Sequence, residues 1–182
     1  VYKRQSLFSA LKNIDLSEFD SLAVGPGIGI DNDDWQKSKD YLMAFGGLLI
    51  LDADALNRIS ESKLGSNFFL ERKFKTWITP HSKEFGRLFP NIKSKTNVGL
   101  ARDAAKEFNI SILLKGANSI VADNKKVWQL FGTDSQTARA GLGDLLSGFV
   151  AGSSAIDLTL CRNISTDFFA KYVLLHSFAA SK

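Results

Sequence analysis

Gly47-Leu48-Leu49-Ile50-Leu51-Asp52-Ala53-Asp54-Ala55-Leu56-Asn57 decides the fold. Its first half is apolar without alternation, the pattern of a strand whose two faces are both covered, as in a parallel sheet flanked by helices. Two acidic residues follow, and Ala55-Leu56 starts a helical run. The same order recurs along the chain. Ser21-Leu22-Ala23-Val24 stops at Gly25-Pro26-Gly27-Ile28-Gly29, a strand and then a loop. Thr76-Trp77-Ile78-Thr79 is a third strand, with a helix over 82–89 to follow, capped by Thr79 or Ser82 with Pro80 in its first turn. Thr96-Asn97 caps an amphipathic helix with Val98, Ala101, Ala104, Ala105 and Phe108 on one face. Ile110-Ser111-Ile112-Leu113-Leu114 is a fourth buried strand, and two short strands around Asp123-Asn124-Lys125-Lys126 form a hairpin. Further helices are expected over 33–45 and 166–180. Strands alternating with helices predict a three-layer α/β fold with a mostly parallel sheet. No linker, repeat or low-complexity tract divides residues 1–182, so a single domain is expected.

The composition is that of an ordinary soluble domain: 182 residues, 45% hydrophobic and 23% charged. The net charge of +4 favours anionic ligands such as nucleotides, but no dense Lys/Arg block points to nucleic acid. A single cysteine, Cys161, excludes an intrachain disulfide and fits the reducing cytoplasm; it reads as a small packed residue. No apolar run approaches the roughly 18 residues of a membrane helix. Val1-Tyr2-Lys3-Arg4-Gln5 carries neither an initiator Met nor a signal pattern, so a fragment or a processed product is expected.

In open parallel sheets ligands bind beyond the carboxyl ends of the strands. There this chain places Gly25–Gly29, Asp52-Ala53-Asp54, Thr79-Pro80-His81 and Lys115-Gly116-Ala117. A fifth segment, Ala138-Arg139-Ala140-Gly141-Leu142-Gly143-Asp144, opens an apolar helix. Glycines at a helix start let unpaired N–H groups and a partial positive charge approach an anion, with Asp144 beside them as a possible base. Each motif alone also reads as ordinary structure. Taken alone, Gly141–Asp144 reads first as a capped turn, and Gly25–Gly29 at least equally as a tight turn without dinucleotide-fingerprint spacing. Asp52 and Asp54 suit Mg²⁺ by spacing, but a cap at Asp54 and a tied turn at Asp52 outweigh ligation. His81 reads as a surface or capping histidine or as a donor to a ligand, and His176 as packed against the core. Lys115 either faces an anion or snorkels to solvent. Five such ends on one sheet edge together argue for a composite site.

Taken in order, these segments resemble the ADP/ATP-dependent NAD(P)H-hydrate dehydratase family, of ribokinase-like fold. Gly25–Gly29 is similar to its Gly-Pro-Gly-Leu-Gly loop, and Asp52–Asn57 matches its Asp-Ala-Asp-Ala-Leu-Asn segment. Thr79-Pro80-His81 with Glu84, Leu114–Ala117 and Gly141–Asp144 resemble three further family motifs. Ser82-Lys83, Arg139 and Leu142 depart from the pattern; at Leu142 a hydroxyl is lost, and at Arg139 a cation is added. The resemblance implies repair of hydrated NADH and NADPH. A nucleotide, ADP or ATP with Mg²⁺, phosphorylates the ring hydroxyl, and loss of phosphate restores the double bond. It implies Asp144 as general base, and Lys115, Gly116, Ala117, Asn118, Ser119, Gly141 and Gly143 around the nucleotide. Gly27, Gly29, His81 and Asp144 would meet the dinucleotide substrate, with Asp52, Asp54 and Asn57 as further substrate or metal contacts. It also implies self-association, and a domain with several dozen more residues before the first motif, in some relatives fused to an epimerase. A kinase of the same fold acting on a vitamin precursor or sugar, and a catalytically silent nucleotide-binding module, are the alternatives.

Overall fold

Four parallel strands lie across the sheet in the order in which they occur in the chain. The computed structural model describes residues 6–29, 31–131, 141–161 and 163–180. β1 (Ser21–Val24), β2 (Leu48–Leu51), β3 (Thr76–Ile78) and β4 (Ser111–Leu114) are parallel. β5 (Ser119–Ala122) and β6 (Val127–Leu130) extend the sheet as the antiparallel hairpin, giving the order β1-β2-β3-β4-β5-β6.

Crossovers between parallel strands are right-handed, so steps taken always in one direction put their helices on one face. That face carries α1 (Leu7–Lys12), α2 (Asn32–Ala44), α3 (Ala53–Glu61), α4 (Asn67–Glu71), α5 (Ser82–Leu88) and α6 (Asn97–Phe108). The other is covered by α7 (Leu142–Cys161) and α8 (Thr166–Ala180). Strand residues divide between two cores by alternation. Leu49, Leu51, Ile78 and Ile112 join Trp35, Leu56 and Phe68 in the first. Leu48, Ile50, Trp77 and Leu113 join Val150 and Phe169 in the second. Two covered faces are why β2 is apolar at every position. Trp77 stacks on Phe169 with ring centroids 4.5 Å apart and planes 6° from parallel. α7 also anchors to the first strand, where Ser21 Oγ donates to the Ala151 carbonyl at 2.7 Å across 130 residues of sequence.

Three expectations are corrected. α5 is capped by neither Thr79 nor Ser82. His81 Nδ1 accepts from the amides of Lys83 (3.1 Å) and Glu84 (3.4 Å), while Glu84 Oε2 accepts from the His81 amide at 2.8 Å, a capping box. Thr79 still belongs to the sheet edge, its amide bonded to the Leu51 carbonyl at 3.1 Å. Cys161 is exposed rather than packed; it is the last residue of α7, whose fully buried positions end at Ser154. α7 itself, 20 residues with a mean hydropathy of 1.2, is long and apolar enough by length and composition to cross a membrane. Glycines, serines and two aspartates interrupt that run in the sequence. Core helices of soluble proteins meet the same criterion, and α7 here packs on β1, β2 and α8. Leu145, Ile156 and Leu160 on its outer side are exposed.

Candidate active site

The strand ends meet around Asp52. The Asp52 amide donates to the Val24 carbonyl at 3.1 Å, placing the glycine loop against it. Gly25 has φ +141°, and a Cβ built on it would lie 1.8 Å from the Asp52 carbonyl oxygen. Glycine is therefore required there by both conformation and space. On the other side, the Lys115 amide donates to the Pro80 carbonyl at 2.9 Å, and Lys115 pairs with His81 as an isolated parallel bridge.

Asp52 is 1% exposed and its carboxylate is fully engaged. Oδ1 accepts from the Ala53 amide at 2.8 Å and from Lys115 Nζ at 2.7 Å. Oδ2 accepts from Ser147 Oγ at 2.8 Å. Ser147 Oγ also lies 3.2 Å from the Gly143 carbonyl, one turn back in α7. A Cβ at Gly143 would stand 3.9 Å from Lys115 Nζ and 4.0 Å from Asp52 Oδ2. The lysine ammonium thus lies against the first turn of a 20-residue helix whose early N–H groups have no intrahelical partner. Two positive features converge, which is the arrangement that binds phosphate. Asp144, the next residue, is exposed, and its side chain makes no hydrogen bond or ion pair among the described residues.

Other predicted residues take structural partners. Asp52, not Asp54, caps α3, because the helix begins at Ala53, two residues earlier than the sequence indicated. Asp54 Oδ2 instead accepts from the Gly29 amide at 2.9 Å and holds the glycine loop. Asn57 Oδ1 accepts from Arg87 at 2.6 Å. Among the described residues no group of three His, Cys, Asp or Glu side chains is placed to hold a metal. Gly27 is exposed and Gly29 half-buried; Gly116, Ala117 and Asn118 are exposed and Ser119 is half-buried, its hydroxyl 3.4 Å from the Gly116 carbonyl. Arg139 lies outside the described residues. Sequence reasoning missed Ser147, which looks like one more small residue in an apolar helix. It also missed Ala53, a non-glycine residue at φ +46° in the midst of the site.

A cleft of about 510 Å³ opens beside Asp144, lined by Phe149, Leu175 and His176 among others. Among the described residues His176 Nε2 is buried without a partner, and burial holds the imidazole below its ordinary range. Larger clefts, about 600 and 660 Å³, lie at the amino ends of the strands, around Asp20 and Lys75 and around Arg72 and Thr166. That is the wrong edge of a parallel sheet for chemistry.

The arrangement is that of the ribokinase-like α/β class, and solved structures share its fold. A ribokinase-like superfamily protein from Enterococcus faecalis superposes with a TM-score of 0.73 at 25% identity, covering 94% of this chain and 56% of that one. The ADP/ATP-dependent NAD(P)H-hydrate dehydratase of Bacillus subtilis, co-crystallized with ATP/Mg²⁺, superposes with a TM-score of 0.67 at 24% identity, over 94% and 57% of the two chains. The chain belongs to the NAD(P)H-hydrate dehydratase family, whose sequence profile it matches over residues 2–181. It is 37% identical over 159 residues to the bifunctional NAD(P)H-hydrate repair enzyme Nnr of Gloeobacter violaceus, covering 84% of this chain and 28% of that protein. It is 34% identical over 145 residues to the Nnr of Synechocystis sp., covering 79% and 27%. The chain therefore spans just over a quarter of the length of these relatives.

Proposed function

We propose that this chain catalyses the ADP- or ATP-dependent dehydration of hydrated NADH and NADPH. The observation that carries the reading is the approach of Lys115 to Gly143 with Asp144 exposed beside them, a phosphate cradle adjoining a carboxylate. Family membership supports the substrate, and the relative crystallised with ATP/Mg²⁺ supports the nucleotide. The residues fit an anionic nucleotide: Lys115 and the α7 amides at Gly141 to Gly143 would hold its phosphates, with Gly116, Ala117, Asn118 and Ser119 alongside. When bound, the nucleotide supplies the phosphoryl group that turns the ring hydroxyl into a leaving group. Asp144 accepts the hydroxyl proton, and the α7 amides with Lys115 stabilise charge on the oxygens of the group in transfer. Gly27, Gly29 and His81 line the substrate side. Asp144 is the exposed acid beside the cradle, so Mg²⁺ would be held chiefly by the phosphates. Asp144 takes the proton as the hydroxyl turns acidic during transfer. Self-association, a fused epimerase unit and a cytoplasmic setting belong to the same proposal.

The test supplies hydrated NADH with ADP or ATP and follows recovery of nicotinamide absorbance. Asp144→Asn should lower turnover by about 10²–10⁴-fold while nucleotide binding persists. Unchanged turnover in that variant removes the role. Accumulation of a stable phosphorylated product from another alcohol would point instead to a kinase of this fold.

A further inference from the structure

Asp52 was expected among the substrate or metal contacts, but its carboxylate is buried and takes three protein donors. It touches the nucleotide side of the site through Lys115 and the base-bearing side through Ser147. The same hydroxyl lies 3.2 Å from the carbonyl of Gly143, the residue before Asp144, and its single proton goes to the nearer Asp52 oxygen at 2.8 Å. A buried carboxylate that serves only one lysine needs one oxygen; here the second oxygen is committed to the helix that carries the base. We propose that Asp52 is a positioning residue, which with Ser147 locks the first turn of α7 to Lys115 so that the cradle and the base hold a fixed separation. The role rests on the reading that Lys115 and Asp144 flank the reacting phosphate. Misplacement by about 1 Å costs on the order of 10²-fold in rate, so a clamp of two hydrogen bonds is enough to matter.

Ser147→Ala removes the link to α7 and leaves the Lys115–Asp52 pair intact. It should lower kcat by about 10–100-fold and change the ADP dissociation constant by less than about threefold. Ser154 is the control, a serine of the same helix that is 0% exposed and whose hydroxyl has no partner among the described residues. Ser154→Ala should leave kcat unchanged, which separates positioning from the general effect of altering a buried serine. Asp52→Asn should lower kcat and weaken ADP together. In the double variant Ser147→Ala should add nothing further, because both changes break one clamp. Amide exchange gives a readout independent of turnover: Ser147→Ala should speed exchange at Leu145 and Leu146 but not in α8. Wild-type kcat or wild-type exchange in Ser147→Ala overturns the proposal. So do equal losses in Ser147→Ala and Ser154→Ala, and so do multiplicative effects in the double variant. If Asp52→Asn does not fold, the two serine variants still decide. If the unaltered chain fails to dehydrate hydrated NADH, the proposed activity falls, and the exchange and ADP measurements alone judge the clamp.

Discussion

Gly25→Ala should be far more damaging than Gly27→Ala, although the two glycines share one loop. Both have positive φ, +141° at Gly25 and +73° at Gly27. At Gly27 nothing lies within 4 Å of the added Cβ, so only left-handed strain remains, roughly 1–2 kcal/mol. At Gly25 the Cβ meets the Asp52 carbonyl oxygen at 1.8 Å and its carbon at 2.7 Å. That obstacle is backbone, and it would have to retreat by more than about 1 Å to reach ordinary contact. It is also held, since the Asp52 amide bonds to Val24 across β1 and β2. Backbone strain of about 1–3 kcal/mol and overpacking of similar size together give about 4 kcal/mol. That is a large part of the roughly 5–15 kcal/mol that stabilises a typical domain. Urea unfolding of both variants measures the difference. Gly25→Ala should also lose turnover, because moving Asp52 moves Lys115 and Ser147. Equal destabilisation of the two variants, within about 0.5 kcal/mol, would refute the collision argument.

Arg72→Met should destabilise by about 3 kcal/mol. The arginine is 5% exposed, its Nη1 donates to the Leu42 carbonyl at the end of α2 and its Nη2 to the Gly47 carbonyl, and Nε donates to Thr76. Burial pulls it down to about 10, still charged at neutral pH. Calorimetry checks this, and a loss below about 1 kcal/mol contradicts it. Ala53→Gly should be neutral or stabilising, where the same change in an ordinary helix costs about 0.5–1 kcal/mol, because glycine relieves the positive φ; an ordinary loss of that size would show no strain there. His176 has a folded value depressed by burial, so the unfolded chain binds its proton first as pH falls. Stability should drop as pH falls through the ordinary histidine range and level off below the depressed value. His176→Phe should flatten that part of a Tm–pH profile. An identical profile in the variant removes His176 as the cause.

The fold was legible where burial alone sets the residue pattern. β2 is apolar throughout and β4 is apolar apart from Ser111, which is buried against Thr166, the hairpin turns at Asp123–Lys126, and Thr96 caps α6 through a 3.1 Å bond to the Gly99 amide. α1 and α4 escaped notice because they have six and five residues, too short for a helical period to stand out. The α3 cap was misplaced because a helix starting at a left-handed alanine is not foreseen, whereas at α5 the capping reading of His81 holds and Thr79 and Ser82 do not cap. The site motifs were visible as motifs, but their connections were not. Lys115 finds Asp52 across 63 residues and Ser147 finds it across 95, distances over which no local spacing carries a signal.

The sequential strand order bears on how the molecule assembles. Every strand pairs with its neighbours in sequence, so the sheet grows by closing short loops one after another, which is kinetically cheap. α7 is different, for its contact with β1 closes a loop of 130 residues. That step can follow only when the sheet face it covers has formed. Ser147 meets Asp52 at the same moment. On a ribosome the carboxyl edge would therefore exist first as an acid paired to a lysine, without a phosphate cradle. Catalytic competence would be acquired at the final docking event, and slow docking of α7 would delay activity without delaying the appearance of strand structure.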